Sequence, residues 1–273
     1  MGAFGFLYHG ISPTLFFGYH AHRGIYVLRN LVCPRCRIDR NHFKEPLFWF
    51  ISTKKVVYVL TKKQFNLFKV FARTPFAELT RPEIKRLARE KSNNALAEAI
   101  GQFLREKLII ERKVGRSSLF WLNLDQVLTC HYLTLSNNQS VDKQVRRSLD
   151  ILIDSLDQVS AFYGLVVFGS YAADSHEPGS DLDVAVLIEN AEMENRYKAS
   201  LHDAQLKSLI HLDVQIIIKN EFLEMLASAE ENLAKQIVEK HLAIHNVHIF
   251  YGLIKEAVRH GFNPETLSRA GQK

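Results

Sequence analysis

The feature that most constrains the fold is a 24-residue stretch, LVVFGSYAADSHEPGSDLDVAVLI, at residues 165–188. Two short apolar runs flank a segment of small and polar residues that contains a Pro178-Gly179 turn. Apolar runs of this length between turn residues are typical of buried strands. The first run ends in Gly169-Ser170, and the second begins around Asp181-Leu182-Asp183. The stretch therefore predicts two strands with polar groups gathered at one end.

The carboxylates of this stretch are predicted to share one face of a sheet. Asp181 and Asp183 lie two residues apart, and successive side chains of a strand point to opposite faces. A third carboxylate, Asp213, stands early in the strand-like run HLDVQIIIK. The residues predicted for the buried faces are Leu182, Val184 and Val186 in one strand and Leu212, Val214, Ile216 and Ile218 in the other. Carboxylates this close repel one another unless a cation lies between them, so the pattern predicts bound Mg²⁺.

The Gly-Ser pair between the first strand and the turn fits a phosphate group. Gly169 lets the backbone approach a phosphate closely, because it carries no Cβ. Ser170 offers a hydroxyl and a backbone N–H at a predicted helix start. A pair of Mg²⁺ ions bridging Asp181 and Asp183 to a triphosphate would account for both groups. Asp213 would help to hold one ion and accept the proton of an attacking hydroxyl.

In this order and spacing the motif resembles the nucleotidyltransferases of the DNA polymerase β-like fold. Gly169-Ser170 is followed after nine residues by Ser180 and Asp181-x-Asp183, and later by Asp213. The minimal nucleotidyltransferases of archaea and bacteria, with the pattern GSxARGxxxxxSDxDxxV, are the most similar branch, over roughly residues 145–260. The resemblance implies Mg²⁺-dependent transfer of NMP from an NTP, with ATP expected, to a hydroxyl acceptor, with pyrophosphate leaving.

The same resemblance implies roles for individual residues. Gly169, Ser170 and Ser180 would bind the nucleotide, while Asp181, Asp183 and Asp213 would be the catalytic residues and the ligands of two Mg²⁺ ions. One position departs from the pattern, because Ala173-Asp174 stands where the family has Arg-Gly. The change removes a candidate phosphate contact and adds a negative charge near the expected triphosphate.

Residues 56–126 are predicted to form a separate DNA-binding module. Three short helices with Thr and Ser caps precede two strand-like runs around Val114-Gly115-Arg116, an order that resembles the winged helix-turn-helix family. Residues 54–125 hold 16 Lys and Arg against 7 Asp and Glu, whereas residues 126–273 hold 13 against 20. Basic modules favour polyanionic partners. The residues predicted to contact DNA are Asn93, Asn94 and Gln102 on the third helix and Lys113 and Arg116 on the wing.

The remaining segments complete an α+β (mixed α/β) chain. Residues 127–160 are predicted to be a linking helix, and residues 161–273 the nucleotidyltransferase domain, which ends in helices. If those helices include His241, His245 and His248, the three would share a helix face. Residues 1–55 are rich in aromatic residues without a period, and we interpret them as a misassigned start. Within them, Cys33 and Cys36 are interpreted as free thiols rather than half of a zinc site.

Two functions from different classes remain open at this point. The first is an enzyme, with a protein Tyr or Ser, an RNA end or a small molecule as acceptor; the family's antitoxins, which adenylylate a HEPN toxin, make a protein partner an expected case. The alternative is a DNA-binding transcriptional regulator whose transferase fold senses a nucleotide or binds a partner without catalysis. Three cysteines and no apolar run of about 18 residues predict a cytoplasmic protein that does not span a membrane. A homodimer would suit paired half-sites on DNA.

Overall fold

The structure, a computed structural model, describes residues 60–264. The N-terminal part consists of three helices and a small antiparallel sheet with strand order β1-β3-β2. These elements are α1 (Lys62–Arg73), β1 (Leu79–Thr80), α2 (Arg81–Leu87), α3 (Asn93–Arg105), β2 (Ile109–Val114) and β3 (Ser117–Leu122). The helices and the hairpin lie where the sequence predicts them. The predicted N-terminal segment, residues 1–55 with Cys33 and Cys36, lies outside the described residues.

Local capping explains where these helices begin. Thr61 and Thr80 each form a capping box, with Gln64 and Glu83 respectively as the reciprocal partner. Each box satisfies two backbone N–H groups that the first helical turn leaves without partners. Gly115, with φ +59°, makes the tight turn between β2 and β3.

The C-terminal part is a four-stranded mixed sheet with helices on both faces. Its strand order is β6-β5-β4-β7, with β5 parallel to β6 and the other neighbours antiparallel. The elements are α4 (Val127–Ser140), α5 (Lys143–Asp157), β4 (Tyr163–Val167), α6 (Gly169–Ala172), β5 (Leu182–Ile188), α7 (Glu194–Lys207), β6 (Leu212–Ile218), α8 (Lys219–Ala227), α9 (Leu233–Glu239), β7 (Leu242–His245) and α10 (Val247–Arg259). The chain is therefore of the mixed α+β class.

The segment predicted to be one linking helix is two helices that belong to the core. Asp142 ends the break between α4 and α5, because its side chain accepts hydrogen bonds from the N–H groups of Gln144 and Val145. Asn137 of α4 is buried and donates its side-chain amide to the carbonyl oxygen of Ala243 (2.9 Å). The apolar spacing at residues 145–156 lies in α5 and predicts that helix. Helix α4 buries polar, hydrogen-bonded side chains instead, so an apolar pattern could not reveal it.

The sequence pattern of residues 221–273 predicts helices with a break near Asn246, and this prediction is wrong at β7. This four-residue strand pairs with β4, with Leu165 opposite His245, and extends the sheet by one strand. His241 precedes the strand, His245 ends it and His248 lies in α10, so the three histidines do not share a helix face. A strand this short has too few residues to show a period of its own.

The two faces of the sheet bury different elements. The face with Leu165 and Val186 packs against α5 and α7, while the face with Val166 and Leu187 packs against α8, α9 and α10. The second core continues into the three N-terminal helices, including Phe68. The basic N-terminal part and the sheet therefore share one apolar core. Within residues 60–264, no helix has the length and apolar character needed to cross a membrane.

His241 makes folding stability depend on pH. Its Nδ1 donates to the carbonyl oxygen of Val238 (3.0 Å), so the neutral ring can accept at Nε2 from the Tyr251 hydroxyl (3.1 Å). Burial lowers the pKa of His241 to about 4. The unfolded chain takes up this proton near pH 6.5 and the folded chain does not, so we expect stability to fall between about pH 6.5 and 4, by up to roughly 3 kcal/mol.

Urea unfolding at pH 7 and pH 4.5 measures this effect. In His241→Gln the loss of unfolding free energy between the two pH values should be smaller than in the wild type. His202→Gln, at an exposed position of α7, is the control and should keep the wild-type loss. An equal loss in His241→Gln and in the wild type would contradict the assignment.

Candidate active site

The three predicted carboxylates lie at one edge of the large sheet. β5 and β6 are parallel, so their N-terminal ends meet there, and Asp183 lies directly opposite Asp213 in the register. Asp181 lies one residue before β5. The alternation is as predicted, since the opposite face of β5, with Leu182 and Val184, is buried against α5 and α7. Two neighbouring strands therefore bring the carboxylates together.

Gly169 lies directly against the Asp183 side chain. It follows β4 with φ +66°, a conformation that favours glycine. A Cβ placed on Gly169 would lie 2.0 Å from Oδ2 of Asp183 and 2.9 Å from its Cγ. The adjacent Phe168 donates its backbone N–H to the carbonyl oxygen of Asp183 (3.0 Å), which holds the two segments together. The glycine thus makes room for a carboxylate, a role that the sequence did not reveal.

The electrostatics of Asp183 reflect its two acidic neighbours. Burial raises the pKa of Asp183, and the negative charges of Asp213 and Asp181 raise it further. The backbone N–H of Ser170 opposes this shift by hydrogen bonding to the carboxylate. The three carboxylates therefore interact with one another at this edge, and a cation bound there would relieve their repulsion.

The carboxylates on either side of Asp183, those of Asp181 and Asp213, have separate side-chain partners. Oδ1 of Asp181 lies 3.2 Å from Nδ1 of His211, and Oδ1 of Asp213 accepts from the Gln215 amide (2.8 Å). Within residues 60–264, no three His, Cys, Asp or Glu side chains are arranged as a metal site. The three predicted ligands, Asp181, Asp183 and Asp213, offer carboxylate oxygens, which are the ligands that Mg²⁺ takes. His211 and Gln215 are exposed, so these partners can be exchanged for an ion by side-chain rotation.

The two predicted nucleotide-binding serines occupy different local structures. Ser170 is the second residue of the one-turn helix α6. Ser180 closes a turn with Glu177, since its N–H donates to the Glu177 carbonyl and its Oγ accepts from the Glu177 N–H, both at 3.0 Å. Asp174 has φ +58°, a conformation that favours glycine, which is the residue at this position of the pattern GSxARGxxxxxSDxDxxV.

A cleft beside the carboxylates contains residues that the sequence analysis did not select. The rings of Tyr171 and His176 stack at 4.1 Å with 12° between their planes, and the Tyr171 hydroxyl donates to the Ser180 carbonyl (3.3 Å). They line a cleft of about 600 Å³ that also reaches His211, the partner of Asp181. The sequence GSYAADSH shows that both rings lie near the motif. Their stacking could not be predicted, because it depends on the backbone turn between Tyr171 and His176.

The residues predicted to contact DNA lie on α3 and on the β2–β3 hairpin. Asn93, Asn94, Lys113 and Arg116 are exposed. The fifth, Gln102, is half-buried and engaged within its own helix, since its amide donates to Glu106 (2.9 Å) and its oxygen accepts from Arg105 (2.6 Å). The hairpin turn is thus the most accessible basic part of this set.

Comparison with known protein families bears on the part of the chain that carries the carboxylates. Residues 149–245 match the family described as "Nucleotidyltransferase domain". The matched range runs from within α5 to the end of β7 and includes Gly169, Asp181, Asp183 and Asp213. No curated protein and no solved structure matches the chain. The region that brings the three carboxylates to one sheet edge is therefore similar to a nucleotidyltransferase domain.

Proposed function

We propose that this protein transfers NMP from an NTP, with ATP preferred, to a hydroxyl acceptor in a Mg²⁺-dependent reaction. The observation that carries the proposal is the register of Asp183 against Asp213, with Asp181 next to them, in the region that matches the transferase family. Asp181, Asp183 and Asp213 would hold two Mg²⁺ ions. When bound, the ions would supply charge neutralisation at the α-phosphate and the leaving pyrophosphate.

The chain's own residues have distinct tasks in this reaction. Asp213 accepts the proton of the acceptor hydroxyl, whose oxygen then forms a bond to the α-phosphorus. The bond between that phosphorus and the pyrophosphate oxygen breaks. Gly169 and Ser170 lie against Asp183, where their backbone can meet the triphosphate, and the Ser180 turn borders the same edge. In-line positioning of the hydroxyl and the α-phosphate supplies most of the rate enhancement.

The acceptor we propose is a side-chain hydroxyl of a protein. The cleft beside Asp181 is lined by eleven residues, which include Asp142 and Glu177 but neither Lys nor Arg. An acidic cleft repels an RNA backbone and favours a neutral or basic polypeptide segment. A HEPN toxin, suggested by the family resemblance, would be one such acceptor.

The acceptor class is tested with α-³²P-ATP and Mg²⁺ in the presence of either a protein fraction or total RNA from the native host. We expect label on one protein band and none on RNA. The variant Asp142→Asn/Glu177→Gln should lower labelling of a basic acceptor and leave a neutral one unaffected. Label on RNA, or on a small molecule only, would overturn the choice of a protein acceptor. Nucleotide binding without any transfer would favour the non-catalytic regulator.

A second candidate function is DNA binding by a winged helix-turn-helix formed by residues 60–122. The observation that favours it is the element order, three helices and a hairpin whose strand β3 also pairs with β1. The exposed hairpin carries Lys113 and Arg116 at its tip. Cations on a protruding hairpin are suited to phosphate contacts.

Removing the two charges at the hairpin tip tests this candidate. We expect Lys113→Gln/Arg116→Gln to weaken binding of a duplex at low salt by about tenfold and to reduce the salt dependence by about two phosphate contacts. Fluorescence anisotropy with a labelled duplex measures both quantities. Lys143→Gln/Arg147→Gln, exposed on α5, removes the same charge and should change binding less than twofold. Equal losses in the two variants would contradict wing-mediated binding.

A further inference from the structure

A second basic feature lies away from the hairpin, between α1 and the end of α2. It is a cleft of about 550 Å³ that includes three cationic side chains and no acidic one among its lining residues. Its polar lining residues are Asn66, Lys69, Arg73, Thr74 and Arg89. Three cations facing one cavity repel one another, so an anion in the cavity would be stabilised by all three.

The three cations of this cleft have no carboxylate partner within residues 60–264. No ion pair involves Lys69, Arg73 or Arg89 in that part of the chain. The adjacent acid in the sequence, Glu90, pairs with Lys63 (3.2 Å) and accepts from the Ser92 N–H (2.8 Å). The positive charge of the cleft is therefore not neutralised locally.

Two elements position the three cations of the cleft, helix α1 and the end of helix α2. Lys69 and Arg73 lie four residues apart on α1, which places them on one helix face. Lys69 also lies over the Phe65 ring, with its nitrogen 5.4 Å from the ring centroid. Arg89 has φ +52°, the left-handed conformation in which glycine is favoured. The Glu90 N–H donates to the Lys85 carbonyl oxygen (3.0 Å), so this conformation ends helix α2 and places Arg89 at the edge of the cleft.

We propose that this cleft binds a phosphate group, supplied by a nucleic-acid backbone or by a free phosphorylated molecule. Lys and Arg side chains with polar Asn and Thr neighbours are the usual phosphate contacts of proteins. The site is independent of the carboxylate edge and of the hairpin, so it stands whether or not either proposed function does. With a nucleic acid bound, it would add contacts on the α1–α2 side of the same domain.

The test compares two variants of the full chain that lose the same charge. The cleft variant is Lys69→Gln/Arg73→Gln/Arg89→Asn, in which asparagine tolerates the left-handed backbone. The control is Lys143→Gln/Arg147→Gln/Lys240→Gln, at exposed positions elsewhere. The probes are a fluorescein-labelled duplex, followed by anisotropy, and sodium pyrophosphate, followed by calorimetry. Unchanged thermal midpoints establish that both variants fold.

For a nucleic-acid ligand, the cleft variant should bind the duplex at least about tenfold more weakly and lose about three phosphate contacts from the salt dependence. For a free phosphorylated ligand, the variant should lose pyrophosphate binding while duplex binding is unchanged. The control should keep wild-type affinity for both probes. The proposal is overturned if the wild type binds neither probe, if the cleft variant binds both normally, or if the control loses as much as the cleft variant.

Discussion

Replacing Asp183 with asparagine is expected to lower nucleotidyl transfer by at least about 1,000-fold while the fold is kept. Asp183 is the middle carboxylate of the edge, opposite Asp213 in the register and in contact with Gly169. Asparagine has nearly the same shape but lacks the charge that a divalent cation requires. The measurement is the initial rate of label transfer from α-³²P-ATP at saturating Mg²⁺.

Stability separates this loss from misfolding. The negative charges of Asp213 and Asp181 repel that of Asp183. Because Asp183→Asn removes this repulsion, the variant protein should melt at the same temperature as the wild type or slightly higher. Asp150→Asn, exposed on α5, removes one carboxylate away from the edge and should keep wild-type activity. Retention of more than a tenth of the activity in Asp183→Asn would remove Asp183 from the catalytic set.

The second large effect is expected for Gly169→Ala, which should lose activity about 100-fold or more and destabilise the protein by roughly 2–4 kcal/mol. A methyl group here would lie 2.0 Å from the Asp183 carboxylate, and the backbone has φ +66°. The carboxylate must therefore move or the Gly169 segment must shift. Urea unfolding and the transfer rate measure the two effects.

Gly179→Ala is the matched control for this substitution. Gly179 also has a positive φ, +90°, but a Cβ there would meet no atom within 4 Å. It should show only the backbone cost, about 1 kcal/mol. Combining Gly169→Ala with Asp183→Ala should remove most of the extra cost, since the clashing carboxyl atoms are gone. Equal destabilisation by Gly169→Ala and Gly179→Ala would show that close contact with Asp183 is not what requires glycine.

The parts of the site that follow from strand period could be predicted from the sequence. Alternation in LDVAVLI and LDVQIII fixes which face each residue takes, so Asp183 and Asp213 were placed on one face before the register was known. The side-chain partners were not predictable, because the approach of His211 to Asp181 depends on how two strand starts align. The contact of Gly169 with Asp183 was not predictable for the same reason, because it depends on how β4 and β5 align.

The fold was less predictable where elements are short or polar. The capping boxes at Thr61 and Thr80 carry their own sequence signature, and the helices begin there. β7 has only four residues, and α4 buries polar Thr129 and Asn137 that a hydrophobic pattern would assign to the surface. The change of charge near residue 126 suggested separate modules, yet charge describes surfaces and cannot reveal the shared apolar core.

We infer that the edge formed by Asp181, Asp183 and Asp213 moves the α-phosphate of an NTP. The most direct measurement compares α-³²P-ATP with γ-³²P-ATP as label donors, with Mg²⁺ and the protein fraction of the native host, for the wild type and Asp183→Asn. We predict that only the α-label reaches an acceptor, that pyrophosphate is released in equal amount, and that Asp183→Asn does neither. Transfer of the γ-label, or α-label transfer that persists in Asp183→Asn, would contradict nucleotidyl transfer at these carboxylates.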